Sequence, residues 1–270
     1  MIELQNLTKS YRLTNGERSY IFRDLNFTFP EKTNIGLIGS NGAGKSTLLR
    51  LIGGIDTPDC GRVVTDKRIS WPVGLSGGLH ATLTGRDSVK FVCRIYGALG
   101  DQMREKIAFV ENFAELGDYF DQPVKSYSSG MRARLNFGMS WTFDFDYYLM
   151  DEIGAVGDAR FKEKSRKLME DRIGQSNVIL VTHQMNEIVR ICQTVVLVNN
   201  GQAILFQDVK EGINAYEEQA NISPQKRLRT EAVLARRQGR PGIPGKKGGG
   251  RVANRKAKKF AEQTTLDTDS

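Results

Sequence analysis

With 270 residues, 39% hydrophobic and 26% charged, the chain has the length and apolar content to pack one large domain or two modest ones, which excludes a wholly disordered protein. Its longest apolar runs, such as Val178–Val181 and Val195–Val198, fall far short of the roughly 20 residues that cross a bilayer as a helix, so no transmembrane segment is expected. The net charge of +8 lies in the tail: from Asn221 onward 13 Lys/Arg meet 4 Asp/Glu, against 26 and 27 before it.

The N-terminus, Met1-Ile2-Glu3-Leu4-Gln5, lacks the basic start, apolar stretch and small-residue cleavage site of a signal peptide, so a cytosolic protein is expected. Glu3 to Leu7 and Phe22 to Phe29 read as strands of an antiparallel start. Thr33 to Ile38 reads as a buried strand that feeds a glycine-rich turn and then a helix from Lys45 to about Ile52. Asp87 to Tyr119 has helical spacing, with Val89, Val92, Ile95 and Tyr96 on one face, and is expected to form a largely helical insertion. Tyr147–Met150, Val178–Val181 and Thr194–Val198 are three further apolar strands. Short strands alternating with helices predict an α/β domain with a largely parallel sheet, about residues 1–220. Cys60, Cys93 and Cys192 are odd in number and never paired as Cys-x-x-Cys, which argues against a disulfide framework or a zinc site. Residues 221–270, rich in Arg, Lys, Gly and Pro, lack the apolar surface that offsets ordering entropy, so disorder is expected for most of this basic tail, with a short basic helix possible at Arg227 to Arg237.

Gly39-Ser40-Asn41-Gly42-Ala43-Gly44-Lys45-Ser46-Thr47 matches the phosphate-binding pattern G-x-x-x-x-G-K-[ST] in full, between a predicted strand and a predicted helix. Glycines let successive N–H groups turn toward phosphate oxygens, and the helix adds its positive end. Lys45 is then placed to neutralise the β- and γ-phosphates of ATP, and the Ser46 hydroxyl to bind Mg²⁺. The strand Tyr147-Tyr148-Leu149-Met150 ends in Asp151-Glu152. This puts Asp151 in the Mg²⁺ shell and Glu152 beside the γ-phosphate, where it acts on the attacking water as general base or by orientation.

Tyr127-Ser128-Ser129-Gly130-Met131-Arg132, just upstream of that strand, resembles the signature motif of ABC ATPases, with Ser129 and Met131 where the usual form has glycine and glutamine. Ser128, the N–H groups near Ser129 and Gly130, and a helix N-terminus make an anion site, and serine is also a favoured helix cap. The more literal Leu75-Ser76-Gly77-Gly78 comes too early for that role and falls in the loop, roughly Trp71 to Thr84, that couples to the membrane partner in this family; the glutamine usual in that loop has no clear match.

The resemblance implies a P-loop NTPase fold of ABC type, with a RecA-like core, an antiparallel β subdomain and a helical subdomain at about 87–140. It implies two copies sandwiching two nucleotides head to tail, with Ser128, Ser129 and Gly130 of one copy meeting the γ-phosphate held by the other. It further implies that His183, after Val181-Thr182, is the γ-phosphate switch, that Tyr11 stacks on adenine, and that Asp158, in Ala155-Val156-Gly157-Asp158, belongs to the inter-subunit acidic loop.

Within the family, residues 1–219 resemble the ATP-binding subunits of bacterial capsular polysaccharide exporters. The resemblance is carried by Ile69–Gly78, Leu83–Asp87, Lys125–Arg132 and Ala155–Lys162. It implies an ABC permease in the inner membrane, with the chain at its cytoplasmic face, and a lipid-linked polysaccharide as cargo. An O-antigen or teichoic-acid exporter ATPase, and a non-transport ABC ATPase acting on nucleic acid or ribosomes, are the alternatives; a nucleic-acid partner is the less expected, since such proteins usually carry two cassettes or a long coiled-coil insertion. The basic tail is expected to lean on anionic lipid, where each Lys or Arg near the surface contributes about 1 kcal/mol.

Overall fold

The computed structural model describes residues 1–73, 80–151 and 158–219. The chain divides at Thr230 into two units, and every described residue belongs to the first. The tail, and the expectations of disorder, helix and lipid contact attached to it, lie outside the described residues.

Two sheets and a set of helices make up this unit. The first sheet is antiparallel, in the order β2-β1-β4, from β1 (Ile2–Arg12), β2 (Arg18–Phe29) and β4 (Cys60–Thr65). Its inner residues Ile2, Leu4, Leu7, Phe22, Leu25 and Phe29 are buried in one core cluster with β3 (Ile35–Ile38), β6 (Asn177–Val181), β7 (Thr194–Asn199) and α1 (Lys45–Ile52). The second sheet has the order β5-β6-β3-β7-β8, with β5 at Tyr147–Asp151 and β8 at Gln202–Phe206; only β8 runs antiparallel to its neighbour. Every residue of β3 is buried, as expected of a parallel strand covered on both faces.

The register of this sheet fixes where chemistry can occur. Val181 of β6 lies opposite both Leu37 of β3 and Asp151 of β5, so the carboxyl ends of the three strands finish at one level. In open α/β sheets that edge is where ligands bind.

A helical layer follows: α2 (Gly85–Ile95), α3 (Gly100–Ala114) and α4 (Ser129–Ser140), with two short 3-10 turns at Gly117–Asp121 and Val124–Ser126. Thr84 caps α2 by accepting the N–H of Asp87. The buried side of α2 is Gly85, Ser88, Val89 and Cys93, while Ile95 and Tyr96, on the predicted apolar face, are exposed. A run of rings ties the layer to the sheet: Phe113 stacks on Phe137 at 5.8 Å, and Trp141 on Tyr148 of β5 at 4.5 Å. The remaining helices are α5 (Ala159–Ile173), α6 (Met185–Ile191) and α7 (Val209–Gln219). Among the described residues no helix is long and apolar enough to cross a membrane.

Candidate active site

Chain geometry at the end of β3 is set by glycine. Gly44, the residue before α1, has φ +101°, and a Cβ there would lie 2.4 Å from Ile21 Cγ2 and 2.8 Å from Phe22 Cζ. Only glycine combines that left-handed backbone with that close approach to β2. Among the described residues no side chain caps α1, so the N–H groups of its first turn are offered to whatever sits above them, together with the positive end of the helix. Leu48, Leu49, Leu51 and Ile52 bury the other side of the helix and hold its axis on the sheet.

A cavity of about 350 Å³ opens at this point, lined by Asn41, Gly42, Gly44, Lys45, Ser46 and Thr47 of the loop and helix, Asp151 of β5, Val181 and His183 after β6, and Ile21 of β2. The predicted phosphate loop, the first acid of the acid-tipped strand and the predicted switch histidine therefore converge. Gly39, Ser40 and Ala43 complete the loop; Ser40 and Ala43 face a neighbouring cavity that Asn41 and Gly42 also line. Lys45 is buried, and its ammonium donates to the carbonyls of Gly39 and Ser40, both at 2.9 Å. These acceptors are neutral, and an anionic phosphate oxygen holds an ammonium more strongly.

The donor set fits the groups expected there. Ser46 and Asp151 offer one hydroxyl and one carboxylate, hard oxygen donors of the sort Mg²⁺ takes alongside substrate phosphates. Lys45, the loop N–H groups and the start of α1 supply the positive potential a triphosphate requires. His183 is exposed at the rim, just after Thr182, whose hydroxyl donates to Glu187 at 3.0 Å and accepts the Gln184 N–H at 3.1 Å. These bonds fix the turn that carries the imidazole. Glu152 lies outside the described residues.

Tyr11 is not part of the cavity wall. It stands at the end of β1, its hydroxyl donating to Asp56 at 2.8 Å, and Arg50 reaches both that hydroxyl (3.3 Å) and the Thr47 hydroxyl (3.4 Å). Lys9 completes the group, with its ammonium 2.6 Å from Asp56 and 5.0 Å from the Tyr11 ring centre. Lys9, Arg50 and Asp56 were not singled out by sequence, since no motif links them; Asp56 follows the predicted helix closely, and that is the only trace. Ile21 was missed for the same reason, being an ordinary strand residue until the β1–β2 pairing brings it over Gly44.

Ser128 caps α4, accepting the Met131 N–H at 3.2 Å, and it, Ser129 and Gly130 do not line the cavity of their own chain. Capping uses an oxygen lone pair and leaves the hydroxyl hydrogen to donate elsewhere. Ser128 and Ser129 are exposed, so the helix start is open to another molecule. Asp158 caps α5 by accepting the Phe161 N–H at 2.9 Å and pairs with Arg134 of α4 at 2.9 Å. The bond from Phe161, followed by the nearby Arg134 charge, holds its carboxyl below the usual range. Within one chain, then, Asp158 joins α5 to α4. The early Leu75-Ser76-Gly77-Gly78 segment is outside the described residues.

Comparison with known proteins agrees with this geometry. Residues 22–155 match the sequence profile of the ABC transporter family. The chain is 53% identical to the polysialic acid transport ATP-binding protein KpsT of Escherichia coli over 218 residues, 80% of this chain and 96% of that protein. It is 39% identical to the capsule polysaccharide export ATP-binding protein CtrD of Neisseria meningitidis serogroup B, over 80% of this chain and 98% of that protein. In fold it is similar to the dimeric ATP-binding cassette MJ0796 bound to ADP and Pi, with a TM-score of 0.61 at 22% identity, covering 76% of this chain and 98% of the other.

Proposed function

The chain belongs to the ABC transporter family as an ATP-binding, ATP-hydrolysing subunit, and from that premise we propose that it drives export of a capsular polysaccharide through an inner-membrane permease. The observation that carries the reading is the convergence of Lys45, Ser46, Asp151 and His183 on one cavity at the carboxyl edge of the sheet. The names of the relatives, one acting on polysialic acid and one on capsule polysaccharide, supply the cargo class.

Each residue then has a defined task. Lys45 turns from the Gly39 and Ser40 carbonyls to β- and γ-phosphate oxygens, while Gly39 to Thr47 offer backbone N–H groups. Tyr11, held by Asp56, presents its ring to adenine. Mg²⁺, held with the phosphates by Ser46 and Asp151, supplies charge neutralisation. Glu152 takes the proton from the attacking water or orients it, and His183 donates to the γ-phosphate. Ser128, Ser129 and Gly130 act in trans: the helical subdomain, about residues 87–140, carries them onto the nucleotide of a second copy, and Asp158 lies along that contact.

The permease is proposed to meet the chain at the loop from Trp71 to Thr84 and the groove beside it, lined by Arg68, Tyr96, Lys106, Phe143 and Phe145. Phe91 and Ile95 of α2 and Leu99, just before α3, stand exposed at 51%, 62% and 63%, more apolar surface than a solvated helix needs. Purifying the full chain from gently solubilised membranes tests the reading. The expected companion is a polytopic membrane protein in equal amount, lost when Ile95 is replaced by Glu; recovery of ribosomes or nucleic acid instead would replace transport with the non-transport alternative.

A further inference from the structure

The segment that leads into Ser128 is built onto the segment that leads out of the Trp71 to Thr84 loop. Lys125 N–H donates to the Ala81 carbonyl at 2.9 Å and Val124 N–H to the Leu83 carbonyl at 2.8 Å, which sets Thr84 opposite Pro123 in a short antiparallel pairing. The last tie is a side chain. The Tyr127 hydroxyl accepts the N–H of Gly85, the first residue of α2, at 3.2 Å and donates to the Tyr119 carbonyl at 2.6 Å. Tyr127 is 3% exposed, and burial pushes its phenol up, so it stays a donor throughout the working pH range. A Cβ at residue 85 would lie 2.6 Å from that oxygen and 3.0 Å from Phe120, so glycine is what allows the approach. The Tyr127 backbone is clamped as well, its N–H donating to Val124 at 3.0 Å and its carbonyl accepting from Arg132 at 2.6 Å.

We propose that Tyr127 is a positioning residue for hydrolysis: its hydroxyl locks the helix start at Ser128 to the base of α2, so that Ala81 to Thr84 and the γ-phosphate-facing segment move as one body. The inference rests on the reading in which Ser128 serves the nucleotide of a second copy. Tyr127 touches no substrate. It sets where Ser128 sits, and with the two bonds from Val124 and Lys125 ahead of it in the same ribbon, a displacement at Ala81 to Thr84 arrives at Ser128 without slack.

A matched residue separates positioning from plain stability. Tyr147 is also 3% exposed, and its hydroxyl likewise accepts a backbone N–H, from Lys32 at 3.1 Å, and donates to a carbonyl, Pro30, at 3.3 Å. It stands at the opposite end of β5 from Asp151. Tyr127→Phe and Tyr147→Phe are therefore compared in the full chain carrying Glu152→Gln, by sedimentation across protein concentration in saturating Mg-ATP. Nucleotide affinity is measured separately at concentrations where single chains dominate.

Tyr127→Phe is expected to weaken the ATP-bridged dimer about tenfold, in keeping with the loss of a buried hydrogen bond, with single-chain affinity for Mg-ATP within about twofold. Tyr147→Phe is expected to lower the melting temperature similarly and leave the dimer within about twofold of the parent. Gly85→Ala, which pushes on the hydroxyl from the other side, should reproduce the Tyr127→Phe defect. Equal effects of the two phenylalanine variants on the dimer, or no effect of either, would overturn the assignment. A parent that stays monomeric in saturating Mg-ATP would refute the two-copy reading itself and this inference with it.

Discussion

Asp56 anchors the Tyr11 hydroxyl, the contact on which the proposed adenine role of that ring depends. Burial alone would raise its carboxyl, but hydrogen bonds from Lys9 and Tyr11 outweigh burial and hold it below its ordinary value. Lys9 itself is buried, so removing its partner leaves a charge with fewer acceptors. Asp56→Asn should destabilise the fold by about 1–2 kcal/mol near neutral pH. A carboxyl depressed in the folded state contributes fully above its unfolded value of about 3.9 and loses that contribution as pH falls through the lower folded value. The gap in melting temperature between wild type and Asp56→Asn should therefore be constant from pH 7 to pH 5 and narrow below about pH 4. A gap that does not change with pH would detach Asp56 from this ion pair. The same residue shows why the sequence disclosed part of the site only: Lys45, Ser46 and Asp151 announce themselves by motif and by the end of an apolar strand, whereas Asp56, Arg50 and Lys9 become a group only once β1 lies beside the end of α1.

At the scale of elements, the turn between β3 and α1 illustrates how local strain and packing are separable. Gly42 and Gly44 both have positive φ, +80° and +101°, yet a Cβ at residue 42 meets nothing within 4 Å while one at 44 runs into Ile21 and Phe22. Gly42→Ala bears backbone strain alone, about 1 kcal/mol, whereas Gly44→Ala adds a clash with the first sheet and should cost about 2–3 kcal/mol more. Chemical denaturation of the two variants measures the difference; equal losses would mean that β2 yields freely. The helix and the buried strands around this turn were legible because parallel strands are continuously apolar and the glycine pattern fixes the boundary. β4 and β8 were not. β4 is largely exposed and reads Cys-Gly-Arg-Val-Val-Thr, and β8 is half exposed, so neither has the apolar signal of a core strand; both exist because a neighbour supplies their hydrogen bonds. In α2 the expected apolar face was rotated: Val89 and Cys93 took the core side, and Ile95 was left for the surface that the permease is proposed to cover.

For the molecule as a whole, distant elements meet at one cavity. One chain brings Lys45, Ser46, Asp151 and His183 to a single cavity, while Ser128 and Ser129 lie exposed at a helix start away from that cavity. In the proposed head-to-tail pairing of two copies, each cavity would receive the Ser128 segment of the other, and the cycle of joining and parting is what the proposed permease would use. That arrangement is proposed from the resemblance, since no spacing within one chain encodes which copy Ser128 serves. The most direct test is the mass of Glu152→Gln in solution, with and without Mg-ATP, beside its hydrolysis rate. The account predicts that hydrolysis falls by at least about a hundredfold, that nucleotide is retained, and that the mass doubles only when Mg-ATP is present. Undiminished hydrolysis, or a mass that ATP does not change, would contradict it.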